Sequence, residues 1–227
     1  MSIEEGGSVI ESAGETATRR SYQSPRRLAA AQQTRARIRE AAATLFLADG
    51  YAATSMRTIA QTAGVAEKTV YLQFENKPAL LKEVVETAIV GDDEAIPAAD
   101  RNWFRDTVSD PDLDRKLRRL VDATAALHER SGAMFAMARD AAATDAEAAV
   151  LWAFGKRGHR ADMTRLAQSF RDSGQLPVGL DLDWATTTLY VLLGLESWHL
   201  VRVELAFDEQ QYRDWLHGSL RQAFRAS

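Results

Sequence analysis

With 227 residues, 46% of them hydrophobic and 26% charged, and with 13 Gly against five Pro, the chain has the make-up of a folded globular protein and not of a low-complexity one. The absence of Cys excludes a disulfide framework, a thiolate metal site and a cysteine nucleophile; MSIEEGGSVI lacks the order of a signal peptide and no apolar run reaches about 18 residues, so a cytoplasmic, nucleoid-associated protein with no membrane partner is expected. The net charge of −4 hides an asymmetry, because residues 18–82 carry 11 Lys/Arg against four acids and residues 83–227 carry 17 against 24, the pattern of a protein that offers one end to a polyanion.

Residues 1–27 are rich in Glu, Ser, Gly and Thr and end in arginines, which predicts a disordered, basic-ended arm. From Leu28 the pattern turns helical: Ile38, Ala42, Leu45 and Phe46 form one apolar stripe, and Gly50 is placed to stop it. Thr54 or Ser55 caps a short second helix with Met56, Ile59, Ala60 and Ala63 facing inward and Gly64 ending it. A third helix runs through Phe74. Asn76 then caps a fourth, with Pro78 in its first turn and Leu80, Leu81, Val84 and Val85 inward. Pro97 marks a break, followed by a short helix around Trp103 and Phe104. Asp110-Pro111 opens a helix to about Glu129, and further helices are expected over 132–140, 145–172, 181–207 and 208–224. Nothing alternates like a strand. The expected architecture is all-α: a three-helix domain over 28–78, joined by a connecting helix to a helical body over 79–227.

The segment TSMRTIAQTAGVAEKTVYLQFENK, from Thr54 to Lys77, sets two short helices about a Gly-containing turn, the arrangement of a helix-turn-helix. On the third helix Val70 and Phe74 are four apart and must face the first two helices, so at 100° per residue Lys68 and Leu72 point outward, flanked by Thr69 and Tyr71. Lys68 suits a base edge or phosphate, Leu72 a thymine methyl, and the hydroxyls of Thr69 and Tyr71 suit phosphate oxygens. Arg57, Thr54, Ser55 and Lys77 supply further donors around this face. Upstream, Arg19, Arg20, Arg26, Arg27, Arg35, Arg37 and Arg39 either track the DNA backbone, drop an arm into the minor groove, or form a plain flexible basic tail.

The run LFLADGYAATSMRTIAQTAGVAEKTVYLQFENKPALL closely resembles the DNA-binding domain of the TetR family of bacterial regulators over roughly residues 34–82. The resemblance implies a sequence-specific transcriptional regulator, a repressor that leaves its operator on binding a small, largely apolar ligand. It implies phosphate contacts from Thr54, Ser55, Thr69, Tyr71 and Lys77, and base-proximal roles for Arg57, Glu67, Lys68, Leu72 and Gln73. Two positions depart from the family pattern: Ala66 stands where a capping residue is common, and Gln73 where His is frequent. The implied partners are a palindromic double-stranded operator, a second copy of the chain and a small-molecule inducer; no cofactor is implied.

The C-terminal helices resemble the family less distinctively, and in relatives they pair into a dimer four-helix bundle. Trp184, Val191, Leu195 and Trp198 form one apolar stripe here, and Tyr212, Trp215, Leu216 and Leu220 a second. They are candidates for the dimer interface, with ordinary core as the competing role. Met134, Met137, Trp152, Phe154, Met163 and Phe170, together with Phe135, lie where family members build an inducer pocket, again with core as the alternative. His128, His159 and His199 are placed to orient a ligand but have no metal spacing. No phosphate loop, nucleophile elbow or zinc motif supports an enzyme. The competing reading is a constitutive DNA-binding or protein-partner regulator without an inducer.

Overall fold

The computed structural model describes residues 25–90, 102–177 and 179–224; the expected arm with Arg19 and Arg20, and the break at Pro97, lie outside the described residues. Among them the helices run in the order α1 (Pro25–Asp49), α2 (Met56–Ala63), α3 (Glu67–Gln73), α4 (Lys77–Val90), α5 (Asn102–Val108), α6 (Leu113–Thr144), α7 (Ala146–Asp172), α8 (Leu182–Leu192), α9 (Leu195–Trp198) and α10 (Glu209–Ala223). A π-helical turn, His199–Glu204, continues α9. No strand occurs among the described residues.

The N-terminal stops and starts follow the local chemistry. Gly50 and Gly64 adopt φ of 82° and 65°, which a residue with a Cβ rarely accepts. Ser55, not Thr54, caps α2 by accepting from the Thr58 amide at 3.0 Å, and Asn76 caps α4 by accepting from Ala79 at 2.8 Å. Ala66 makes no side-chain cap on α3. At the front, α1 begins at Pro25, whose missing N–H suits a first helical position. Arg26 and Arg27 therefore belong to its exposed first turn and not to an arm.

Two expected boundaries move. The helix after α5 starts at Leu113, capped by Asp112, and runs for 32 residues where two helices were expected. Ser131-Gly132 does not break it: the Ser131 hydroxyl donates back to the Leu127 carbonyl at 2.6 Å, and Gly132 lies against the Trp198 ring. Conversely, the single helix expected over 181–207 is interrupted at Leu193-Gly194, where Gly194 has ψ 152° and a Cβ would stand 2.8 Å from the Tyr190 carbonyl. The Ser197 hydroxyl donates to the Val191 carbonyl across the break at 2.6 Å.

Two apolar clusters organise these helices. One joins Ile38, Phe46, Ile59, Val70, Phe74 and Leu80 of the first four helices to Met134, Met137, Ala138 and Ala141 of α6, so the boundary expected at residue 78 falls inside a continuous core. The other packs Leu117, Leu166, Phe170, Leu189, Tyr212, Leu216, Leu220 and Phe224, with Phe170 meeting Phe224 edge-on at 5.1 Å. Each such buried side chain contributes roughly 1.5–3 kcal/mol. Lys116 is fully buried among them, its ammonium 4.9 Å above the Phe170 ring, and burial lowers its pKa.

Candidate nucleic-acid interface and the cavity behind it

The outward face of α3 is built as its spacing requires. Val70 and Phe74 are buried, and Leu72 is 72% and Tyr71 51% exposed. Glu67 and Lys68 are exposed beside them, with Thr69 and Gln73 half-buried. Ser55 and Arg57 lie exposed at the start of α2, so six of the ten residues singled out for DNA are exposed to solvent, with Thr69 and Gln73 partly so. An exposed Leu framed by a cation and hydroxyls suits a major-groove surface.

Thr54 and Lys77 are placed otherwise. Thr54 is 3% exposed and its hydroxyl donates to the Gly50 carbonyl at 2.9 Å, which takes that side chain inside the domain. The Lys77 ammonium donates to the carbonyls of Tyr51 at 2.8 Å and Thr54 at 2.9 Å and sits 4.1 Å from the Tyr51 ring centroid. Burial lowers its pKa against the pull of Asp145. Lys77 thus pins the start of α4 to the turn between α1 and α2. Lys77→Met is expected to lower the stability of the chain by about 1–3 kcal/mol, the cost of leaving carbonyls unpaired, read as a drop in the urea midpoint. An unchanged midpoint would return this lysine to the free surface.

Three arginines expected to track the DNA backbone hold the domain together. Arg35 donates to both oxygens of Glu83 at 2.9 Å through Nε, donates through Nη1 to the Gln73 carbonyl at the end of α3, and lies 4.1 Å over the Phe74 ring. Arg37 donates to the Ala63 carbonyl at 2.8 Å, closing the end of α2, and Arg39 pairs with Glu83 at 3.6 Å. The head is fastened to the body at the corner between α6 and α7, where Tyr51 donates to Asp145 at 3.0 Å and Asn76 to Glu147 at 2.9 Å.

Behind the head a cavity of about 1060 Å³ lies between α1, α4, α6 and α7. Of the six residues proposed for a ligand, Trp152, Phe154 and Met163 line it. Met134 and Met137 are instead buried in the head-side core and Phe170 in the other, because their faces of α6 and α7 turn toward neighbouring helices. Phe135 joins the wall, its ring edge-on to Trp152 at 6.2 Å. His128 and His159 line the cavity as well, whereas His199 lies apart, 3.9 Å from Glu204. Lys156 was missed, yet Trp152, Lys156, His159 and Met163 step by four, three and four along one face of α7, a signal open to sequence reasoning. The pairing of Arg35 with Glu83 spans 48 residues and leaves no local signal.

Among the dimer candidates, Trp198, Tyr212, Leu216 and Leu220 are buried within the protomer. Trp184 and Val191 are exposed, and Leu195 and Trp215 half-buried. Leu205, at the end of the first stripe, is exposed, and Leu200 and Val203 add exposed apolar surface that was not singled out. Among the described residues no helix is long and apolar enough to cross a membrane, and no group of His, Cys, Asp or Glu could hold a metal ion.

Residues 38–84 match the model of the bacterial regulatory proteins, tetR family. No curated protein matches the chain. Solved structures do: the transcriptional regulator FadR from Bacillus subtilis in complex with stearoyl-CoA is 18% identical, with a TM-score of 0.65 over 84% of this chain and 99% of that one. NalD, the secondary repressor of the MexAB-OprM multidrug efflux pump in Pseudomonas aeruginosa, is 23% identical, with a TM-score of 0.64 over 85% and 97%. A Mesorhizobium loti protein assigned to the TetR-family regulators is 19% identical, with a TM-score of 0.65 over 85% and 96%. Over its helix-turn-helix the chain thus matches the tetR family of bacterial regulatory proteins, and the whole of its described structure has the all-helical fold of the solved structures.

Proposed function

We propose that the chain is a homodimeric repressor that reads a palindromic operator through α3 and releases it when a small, largely apolar molecule fills the cavity. The observation that carries this reading is Arg35, which lines the cavity and at the same time holds the last carbonyl of α3 and Glu83 of α4. A ligand that displaces this wall has a direct mechanical path to the reading helix, and the corner at Tyr51 and Asp145 is a second. Lys68, Leu72, Arg57, Glu67 and Gln73 are assigned to bases, and Ser55, Thr69 and Tyr71 to phosphates. The exposed apolar face of Trp184, Val191, Leu200 and Val203 is assigned to the second copy. The stearoyl-CoA bound by the Bacillus subtilis FadR and the repressor role of NalD support a ligand-released repressor.

The test is selection of genomic fragments by the purified full-length protein. Inverted half-sites about 34–36 Å apart are expected. Lys68→Ala should relax the selected sequence, with an unchanged thermal midpoint because the side chain is exposed. No enriched sequence, or one that Lys68→Ala leaves unchanged, would overturn the assignment of the reading face. Genes next to the fragments then serve as reporters for the sign of regulation and for release.

A further inference from the structure

The cavity wall itself restricts the chemistry of the ligand. It follows α6 from Leu120 to Ala138, about 27 Å at 1.5 Å per residue, so the occupant is long. Opposite, α7 contributes Gly155 and Gly158, where an added Cβ would meet nothing within 4 Å. Phe135 and Trp152 line it toward the head, where the ion-paired Arg35, Arg39 and Glu83 also reach it, and Leu120 and Leu166 line the other end.

Two polar groups without partners stand near the middle. His128 is 4% exposed, lines the cavity, and its Nδ1 has no hydrogen-bond partner. The Nε2 of His159, on the facing helix, is likewise buried without a partner. Burial holds His128 neutral, its pKa pushed down to about 3, and lowers that of His159, to which Lys156 adds repulsion. Two uncharged imidazole nitrogens without partners call for a group that completes their hydrogen bonds.

Among the described residues of the wall an anionic head finds no free cation. Every Lys and Arg of the wall is already paired with a carboxylate of the wall: Arg35 and Arg39 with Glu83, Lys82 with Glu86 at 2.7 Å, and Lys156 with Glu196 at 2.5 Å. A hydroxyl both donates and accepts, so it suits either imidazole tautomer. We propose that the ligand is an elongated, uncharged, largely apolar molecule with a hydroxyl near its middle, received by His128 and His159. This rests on the reading of the cavity as the inducer site.

The test titrates the full-length protein at pH 7 with 6-undecanol, undecanoate and undecane, following binding by calorimetry and release of a selected operator fragment. The alcohol is expected to bind about tenfold more tightly than either of the others, the worth of one to two hydrogen bonds, and to move the imidazole nitrogen resonances of His128. In His128→Leu and His159→Leu that advantage over undecane should shrink while undecane still binds. Tighter or equal binding of undecanoate, or an advantage that survives both substitutions, overturns the uncharged-ligand inference and leaves ligand-driven release standing. If none of the three binds or releases the operator, the inducer site falls and the inference with it.

Discussion

Gly132→Ala should destabilise the protein by about 1–3 kcal/mol, the usual cost of overpacking a filled interior, although the same exchange in an open helix is worth up to about 1 kcal/mol in the favourable direction. The reason is the Trp198 indole, whose Cζ3 and Cη2 lie against the Gly132 Cα inside the distance that a methyl group needs. The ring cannot swing clear, because it is buried where α9 crosses α6 and its centroid is 6.0 Å from that of His128. Trp198→Phe alone should also cost stability by leaving a cavity. Combined with Gly132→Ala it should cost less than the sum of the two, because the smaller ring makes room for the methyl group. Urea midpoints of the four proteins decide this. Additive losses would mean that the two residues do not share one space. The effect should reach ligand binding, since His128, one turn from Gly132, lines the cavity.

Gly132 also marks where sequence reasoning loses its hold. A Ser-Gly pair reads as a helix break when only local propensity is weighed, yet a partner 66 residues away makes the missing Cβ a packing requirement within α6. The break at Leu193-Gly194 is the converse, since the apolar stepping through it is continuous and only the backbone of Gly194 departs. In the head the local rules sufficed: Ser55, Gly64 and Asn76 each act on residues within four of themselves. The buried and exposed faces of α3 followed from periodicity because the helix lies on one neighbouring layer. Lys77 and Arg35 escaped because a basic residue near a reading helix has the same sequence signature whether its charge meets phosphate or a backbone carbonyl. Periodicity found both stripes of the C-terminal helices but could not say which was turned outward. Tyr212, Leu216 and Leu220 lie inside the protomer against α6 and α8, and the exposed Val191, Leu200 and Val203 stand on the elements before them.

The second large effect concerns acid. His128 ordinarily titrates at 6.5, and burial, with repulsion from His159 added, holds it down to about 3 in the folded chain. Between those values the unfolded chain binds a proton that the folded chain refuses, so stability is complete above pH 6.5 and falls as the pH drops toward 3. His159 and His217 are shifted in the same direction by burial and by nearby cations, and they steepen the fall. Carboxylates such as Asp110, held at about 2 by Arg115, and Asp145, lowered by the amide of Ala148, keep their full contribution to stability until the pH falls to their ordinary value of 3.8 and lose it only below that. The loss between pH 6.5 and 4.5 therefore belongs to the imidazoles, and for His128 it amounts to a few kcal/mol at about 1.4 kcal/mol per pH unit. His128→Leu removes the proton site and keeps the volume apolar. Its urea midpoint should fall less than that of the unsubstituted protein between pH 7.5 and 4.5, with the two diverging only below pH 6.5. Parallel curves would mean that His128 reaches solvent and is protonated in the folded state, in which case its unpaired nitrogen could not select an uncharged ligand.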